Sequence, residues 1–307
     1  MCAKTRNRKY RYKLSKIIEI DAICQHSIQI AIIAHMKMAL TIAGSDPTGG
    51  AGLQSDIRVF GRLGVHGLSV ATALTAQNTS GVDAIFGVEA SVIEAQLNSL
   101  LNDIRPDALK TGMLYSKAAI RVIVRVIKGF ELENIVIDPV TVSSSGRLLM
   151  EDGALDLIRA ELFPLAKVIT PNIYEASALS GINVTDEESM EKAALALKNT
   201  GPETIIITGG HLERETLDLI LHDGKFYKLR AKKVPGEFHG TGCAFSAAIA
   251  AYLARESSVV HAAERAKAFM HEAIIKAHLD KLHLIATTLL QRDKLDGEEL
   301  IQLLKED

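Results

Sequence analysis

The feature that most restricts this fold is a regular alternation. From residue 39 to residue 278, short apolar runs closed by small or polar clusters trade places with longer amphipathic segments. The runs at 39–43, 67–75, 84–88, 108–110, 135–138, 168–169 and 204–207 read as strands. Helical spacing predicts helices over 49–63, 92–103, 116–128, 152–161, 172–180, 187–199, 242–254 and 259–278. In the first of these, Leu53, Ile57, Phe60 and Leu63 share one face. Residues 217–222 and 225–230 flank Asp223-Gly224, the dipeptide that suits a two-residue hairpin turn. Strands that alternate with helices call for a mainly parallel sheet covered on both faces. The expected fold class is therefore α/β, a three-layer α/β/α sandwich. No linker or internal repeat divides residues 38–280, so one domain is expected there, after a basic extension at 1–37 and before a helical segment at 281–307.

Chemistry-bearing clusters follow the strands at equivalent places. They are Gly44-Ser-Asp46, Thr111-Gly-Met113, Asp138-Pro-Val140, Thr170-Pro-Asn172 and Thr208-Gly-Gly210. In open parallel sheets, ligands bind outside the carboxyl ends of strands. Each cluster alone is also a plausible tight turn; together they point to one shared cleft.

The most informative run is His239-Gly-Thr-Gly-Cys243 before a small-residue helix. Gly240 and Gly242 allow a sharp turn and close approach of a ligand. A helix start presents unpaired N–H groups and a positive dipole end, which suit the charge spread over a transferring phosphoryl group. Cys243 in the first turn is expected to have a lowered thiol pKa and to accept a proton from a substrate hydroxyl; the alternative is a small buried residue in a helix cap. Asp138 suits water-mediated Mg²⁺ binding or a turn. Glu175, one turn beyond Asn172, suits the same ion or the helix N-terminus. Gln77 offers a donor and an acceptor to a heterocycle. Met113 suits packing against a flat ring, or plain core filling. The run from Gly44 to Gly52 looks like a phosphate loop but lacks the Gly-Lys-Ser/Thr of a P-loop; Asp46 could instead bond a ring nitrogen or hydroxyl.

Bulk properties exclude other classes. The net charge of -2, aromatic content of 5% and absence of Trp give no footprint for nucleic acid. No apolar run approaches the length of a membrane span. Three unpatterned cysteines, Cys2, Cys24 and Cys243, fit a reducing cytoplasm rather than a disulfide framework. Lys4, Arg6, Arg8, Lys9, Arg11, Lys13 and Lys16 make the amino terminus basic. It reads as a transit peptide, a disordered tail, or upstream translation ahead of Met36 and Met38.

Seven ordered blocks carry a family resemblance. They are 39–56, 72–79, 110–114, 138–140, 170–175, 209–211 and 239–243. Together they resemble the hydroxymethylpyrimidine and phosphomethylpyrimidine kinases of the ribokinase-like superfamily, over about residues 38–278. The resemblance implies ATP- and Mg²⁺-dependent phosphorylation of 4-amino-5-hydroxymethyl-2-methylpyrimidine and of its monophosphate for thiamine biosynthesis, by a homodimer. It implies that Gln77 reads the pyrimidine and that Gly44, Ala51, Met113 and Val140 line its pocket, with Asp46 and Asp56 nearby. Gly240, Thr241, Gly242 and Cys243 would form the anion hole, with Cys243 the base. Asp138 and Glu175 would organise Mg²⁺, and Asn172, Thr208 and Gly210 would face the nucleotide. Thr208 stands where many relatives carry a lysine. Helices expected at 279–291 and 297–305 depart from the family pattern, as does the basic extension, and the chain is too short for the extra carboxyl-terminal domain of some relatives. Pyridoxal kinase and a non-catalytic pyrimidine sensor are the alternative functions.

Overall fold

Apolar residues fill β1 (Met38–Ser45) almost without interruption, and all but its ends are buried, as a strand covered on both faces requires. The computed structural model describes residues 36–143, 146–210, 216–236 and 238–279. Among them, nine strands form one sheet in the order β3-β2-β1-β4-β5-β6-β7-β8-β9. The other strands are β2 (His66–Asn78), β3 (Gly81–Gly87), β4 (Ala108–Thr111), β5 (Ile135–Ile137), β6 (Val168–Ile169), β7 (Thr204–Gly209), β8 (Thr216–His222) and β9 (Lys225–Ala231). The pairs from β2 through β7 are parallel. β3 closes one edge antiparallel to β2, and the β8–β9 hairpin closes the other. Asp223 and Gly224 both take positive φ, 48° and 72°, which a two-residue hairpin turn of the expected kind demands.

Side-chain alternation along the strands sorts two cores. Leu40, Ile42, Leu109, Ile135, Ile137, Ile205 and Ile207 face one layer. It contains α2 (Ala90–Leu101), α3 (Lys117–Gly129), α5 (Ile173–Ser180) and α6 (Glu187–Lys198). The intervening Ala39, Ala108, Val136, Val168 and Ile206 face the other. That layer holds α1 (Gly52–Arg62), α7 (Thr241–Ala254) and α8 (Val259–Leu279). A period of two in the strands thus produces the three layers. Every residue of α7 from Ala244 onward is buried; its alanines let neighbouring elements approach on all sides, as an all-round apolar helix must.

The helix expected over 152–161 is shorter and irregular. It contains α4 (Ala154–Leu157), a π turn at Ile158–Leu162 and a 3-10 turn at Phe163–Leu165. Pro164 supplies no N–H and stops further winding. β2 runs to Asn78, past its last pairing with β1 at Leu74, because β3 pairs with this overhang. The basic segment before Met36 lies outside the described residues. So do the two carboxyl-terminal helices, apart from Leu279, which ends α8. Among the described residues, no helix is long and apolar enough to cross a membrane.

Candidate active site

The strand-end clusters after β1 and β5 are tied to the start of α7, through His239 and Asp46 and through Ser246 and Asp138. Gly240 caps this helix with φ 85° and ψ 6°, a left-handed conformation that glycine adopts without strain. A Cβ there would lie 1.9 Å from the carbonyl oxygen of Gly50. The turn at 240–243 is thus pressed against the glycine-rich loop between β1 and α1. That loop is folded by Asp46, whose carboxylate accepts from Thr48 N (2.9 Å), Thr48 Oγ1 (2.8 Å) and Ala51 N (2.8 Å). Burial alone would raise the Asp46 carboxyl, but bonds from His239, Thr48 and Ala51 hold it below its ordinary value. Asp46 therefore folds the loop that the sequence reading places against the substrate.

His239 joins three parts of the cleft. Its Nε2 lies 3.4 Å from Asp46 Oδ2 and 3.5 Å from Gln77 Nε2, on the overhang of β2. One ring nitrogen can donate to Asp46 or accept from Gln77, but not both at once. Met113 forms a small apolar wall with Ala73, Val82 and Leu149, and Val140 packs on it. Gly44 faces the same wall: a Cβ there would come within 2.9 Å of Met113 Sδ. Gln77, Gly44, Ala51, Met113 and Val140 thus belong to adjoining pieces of the cleft.

Asp56 requires a correction. It is 0% exposed and does not reach the cleft surface. Its oxygens accept from Lys110 Nζ at 3.0 and 2.9 Å and from Thr41 Oγ1 at 2.6 Å. Burial works against the Lys110 ammonium, but the charges of Asp56, Cys243 and Asp138 outweigh it and hold its pKa above the ordinary value.

The expected lowering of the Cys243 thiol is also overturned. Burial, with the charges of Asp138 and Asp56, pushes it up to about 12 against the opposing pull of Lys110 and a backbone bond from Gly52. At neutral pH the thiol keeps its proton while the cleft is empty.

At the end of β5, Asp138 N donates to Thr111 O (2.9 Å), and Ser246 Oγ of α7 donates to Asp138 Oδ2 (2.9 Å). Asn172 and Glu175 make a reciprocal cap on α5: Asn172 Oδ1 accepts from Glu175 N (3.0 Å), and Glu175 Oε2 accepts from Asn172 N (3.0 Å). Thr141 N also donates to Glu175 Oε1 (3.3 Å). Burial and the neighbouring Asp138 push Glu175 up to about 8, and burial raises Asp138 as well. Two carboxylates held in this way suit a cation that supplies the missing positive charge. Among the described residues, no group of three His, Cys, Asp or Glu side chains could form a metal cage. The pair of Asp138 and Glu175 is a donor set of the kind Mg²⁺ takes, one or two carboxylates with water and phosphate oxygens.

Thr208 lies beside Asn172 through a backbone bridge, and its N–H donates to Pro171 O (2.9 Å). Gly210 is exposed at the end of this strand. The preceding Gly209 N donates to Asp218 Oδ1 (3.2 Å), while Lys267 Nζ sits 2.8 Å from Asp218 Oδ2. Four contributors carried no assigned role in the sequence: Thr41, Lys110, His239 and Ser246. Lys110 had a readable signal, a lysine inside an otherwise apolar strand, which must be paired if that strand is buried.

An open-ended α/β sheet with a glycine turn at a helix start and paired carboxylates at neighbouring strand ends defines a kinase of small molecules. The phosphomethylpyrimidine kinase family profile matches residues 46–285, and the chain belongs to that family. It is 41% identical over 243 residues to the hydroxymethylpyrimidine/phosphomethylpyrimidine kinase of Rhizobium meliloti, covering 78% of this chain and 91% of that protein. It is 42% identical over 237 residues to the thiamine biosynthesis bifunctional protein of Geobacter sulfurreducens, covering 76% of this chain and only 48% of that one. The pyridoxal kinase of Staphylococcus aureus, solved with AMP-PCP and pyridoxal, superposes with a TM-score of 0.71 at 35% identity, covering 78% of this chain and 88% of that one. ATP is accordingly the co-substrate of the reaction.

Proposed function

We propose that this chain transfers the γ-phosphoryl group of ATP to the hydroxymethyl group of 4-amino-5-hydroxymethyl-2-methylpyrimidine, and then phosphorylates the monophosphate, for thiamine biosynthesis. The observation that carries this reading is the convergence of Gln77, the loop folded by Asp46 and the turn at Gly240 through the single side chain of His239. Gln77 reads the amine and ring nitrogen of the pyrimidine. Gly44, Ala51, Met113 and Val140 enclose its ring. Gly240, Thr241, Gly242 and Cys243 receive the phosphoryl oxygens on backbone N–H groups. Asn172, Thr208 and Gly210 face the nucleotide phosphates. Asp138 and Glu175 hold Mg²⁺, which neutralises charge on those phosphates when bound. Cys243 takes the hydroxyl proton once the loaded cleft offsets the burial and the neighbouring carboxylates that hold the thiol protonated. The work belongs to the cytoplasm, where such a thiol stays reduced.

Likeness to a pyridoxal kinase supports a second reading, since pyridoxal also offers a hydroxymethyl group on a flat nitrogen ring. ADP release measured with the pyrimidine, its monophosphate and pyridoxal separates the two. The pyrimidine reading expects turnover on both pyrimidines that stops without Mg²⁺; turnover on pyridoxal alone would replace it, and no turnover on any would end both. Gln77→Ala is expected to raise the pyrimidine KM roughly tenfold or more with little change in kcat, the loss of about one to two hydrogen bonds. An unchanged KM would remove Gln77 from recognition.

The active unit is a homodimer. Leu74 and Phe86, cross-strand partners on β2 and β3, are 53% and 62% exposed. An exposed apolar pair of this kind suits burial against a second copy. Sedimentation is expected to give a dimer for the wild type and a folded monomer for Phe86→Asp. A monomeric wild type would refute it.

A further inference from the structure

Lys110 is the one basic side chain among the described residues that is fully buried, and the mechanism above gives it no task. It shares a strand face with Ala108, which packs in the core made by α1 and α7. Its ammonium is bonded by both oxygens of Asp56, from α1, at 3.0 and 2.9 Å. A Cβ on Gly112 would come within 3.0 Å of Lys110 Nζ, so the ammonium lies at the cleft end of the strand, under the Thr111-Gly-Met113 cluster. On the adjacent strand, Lys110 pairs with Val136 and Thr111 with Ile137. Asp138 follows at once, its N–H bonded to Thr111 O. Ser246 Oγ, 2.9 Å from Asp138 Oδ2, is also 3.0 Å from Cys243 O, so the first turn of α7 closes the same corner.

A buried ion pair is a poor stabilising device. Its desolvation offsets most of its attraction, and well-packed apolar residues of similar volume serve a core as well or better. The position of this pair gives the charge another use. We propose that Lys110 is a positioning residue for phosphoryl transfer, a fixed cation below the cleft that Asp56 aims at the corner shared by Cys243 and Asp138. It touches neither substrate. It makes negative charge at Cys243 easier to carry when the hydroxyl proton moves, and it leaves binding of either substrate nearly unchanged. Lys110 draws the thiol downward against the carboxylates, in keeping with this geometry. The inference rests on the kinase reading and concerns the same site.

Lys110→Met alone strands the Asp56 carboxylate and tests folding, not catalysis. The informative variant is the neutral pair Lys110→Met/Asp56→Leu. It is expected to fold with a Tm near that of the wild type and to lose roughly 10- to 100-fold in kcat, somewhat less than the loss of a direct oxyanion donor, with KM little changed. Alkylation of Cys243 by iodoacetamide, followed by peptide mapping across pH, is expected to shift to higher pH. A purely structural pair would not move that profile. The substitution Lys110→Gln/Asp56→Asn, which keeps a hydrogen bond where the ion pair was, is read in the same way and covers poor packing of the first variant. A neutral pair that folds with wild-type kcat, or with an unshifted alkylation profile, overturns the role of Lys110. Loss of activity in the wild type itself would instead count against the kinase reading.

Discussion

Gly240→Ala is expected to lose at least about 10³-fold in kcat/KM, beyond the usual effect of a single oxyanion-hole donor. The added methyl group would lie 1.9 Å from Gly50 O, and φ at this position is 85°. Neither backbone can yield without moving the loop that Asp46 folds or the first turn of α7. Either movement turns the N–H groups at 241–243 away from the phosphoryl oxygens. Strain and displacement together are expected to destabilise the fold by about 3 kcal/mol, or roughly 6–12 °C in Tm for a domain of this size. Gly242 provides the contrast. A Cβ there has open space around it and φ is not positive, so Gly242→Ala keeps the wild-type Tm. Equal loss of stability in the two variants would show that the contact with Gly50 is not the cause.

Cys243→Ala is expected to lower kcat by roughly 10²–10⁴, the range for removal of a general base. The pH dependence is the sharper readout. A base acts only when deprotonated, and the Cys243 thiol is pushed up to about 12. The wild-type rate should therefore climb as pH rises from neutral toward the alkaline range. The alanine variant should lie lower and lack that climb, because the titrating group is gone. A near-wild-type rate, or an alkaline limb that survives in the variant, would leave the backbone N–H groups as the sole catalytic feature of the turn.

The layers of this fold were legible because apolar periods of two and of 3.6 alternate along the chain. Even the turn at Asp223-Gly224 was written in its dipeptide. The break after Leu157 was visible only as Pro164, and its position depended on how the chain winds before the proline. The site was legible as a set of strand ends but not as a set of roles. Asp46 and Asp56 each follow a serine, yet one folds a loop and the other sits sealed beneath it. That difference comes from the helical phase of α1, which turns Asp56 toward Lys110 on a strand distant in sequence. The raised thiol of Cys243 was hidden for a similar reason. A helix start is a local property, whereas the burial that raises the thiol, and the carboxylates from α1 and the end of β5 that add to it, come from elements packed around it.

The contact between Gly240 and Gly50 also limits how this cleft can be exchanged with that of another kinase. The carbonyl of one loop occupies the place where a side chain of the other would begin. The loop at 44–52 and the turn at 239–243 are therefore a matched pair, like a key and its ward. A chimera that imports one without the other meets a backbone collision before any question of substrate arises. Grafts that carry both segments together, with His239 still between Asp46 and Gln77, are the combinations that this architecture admits.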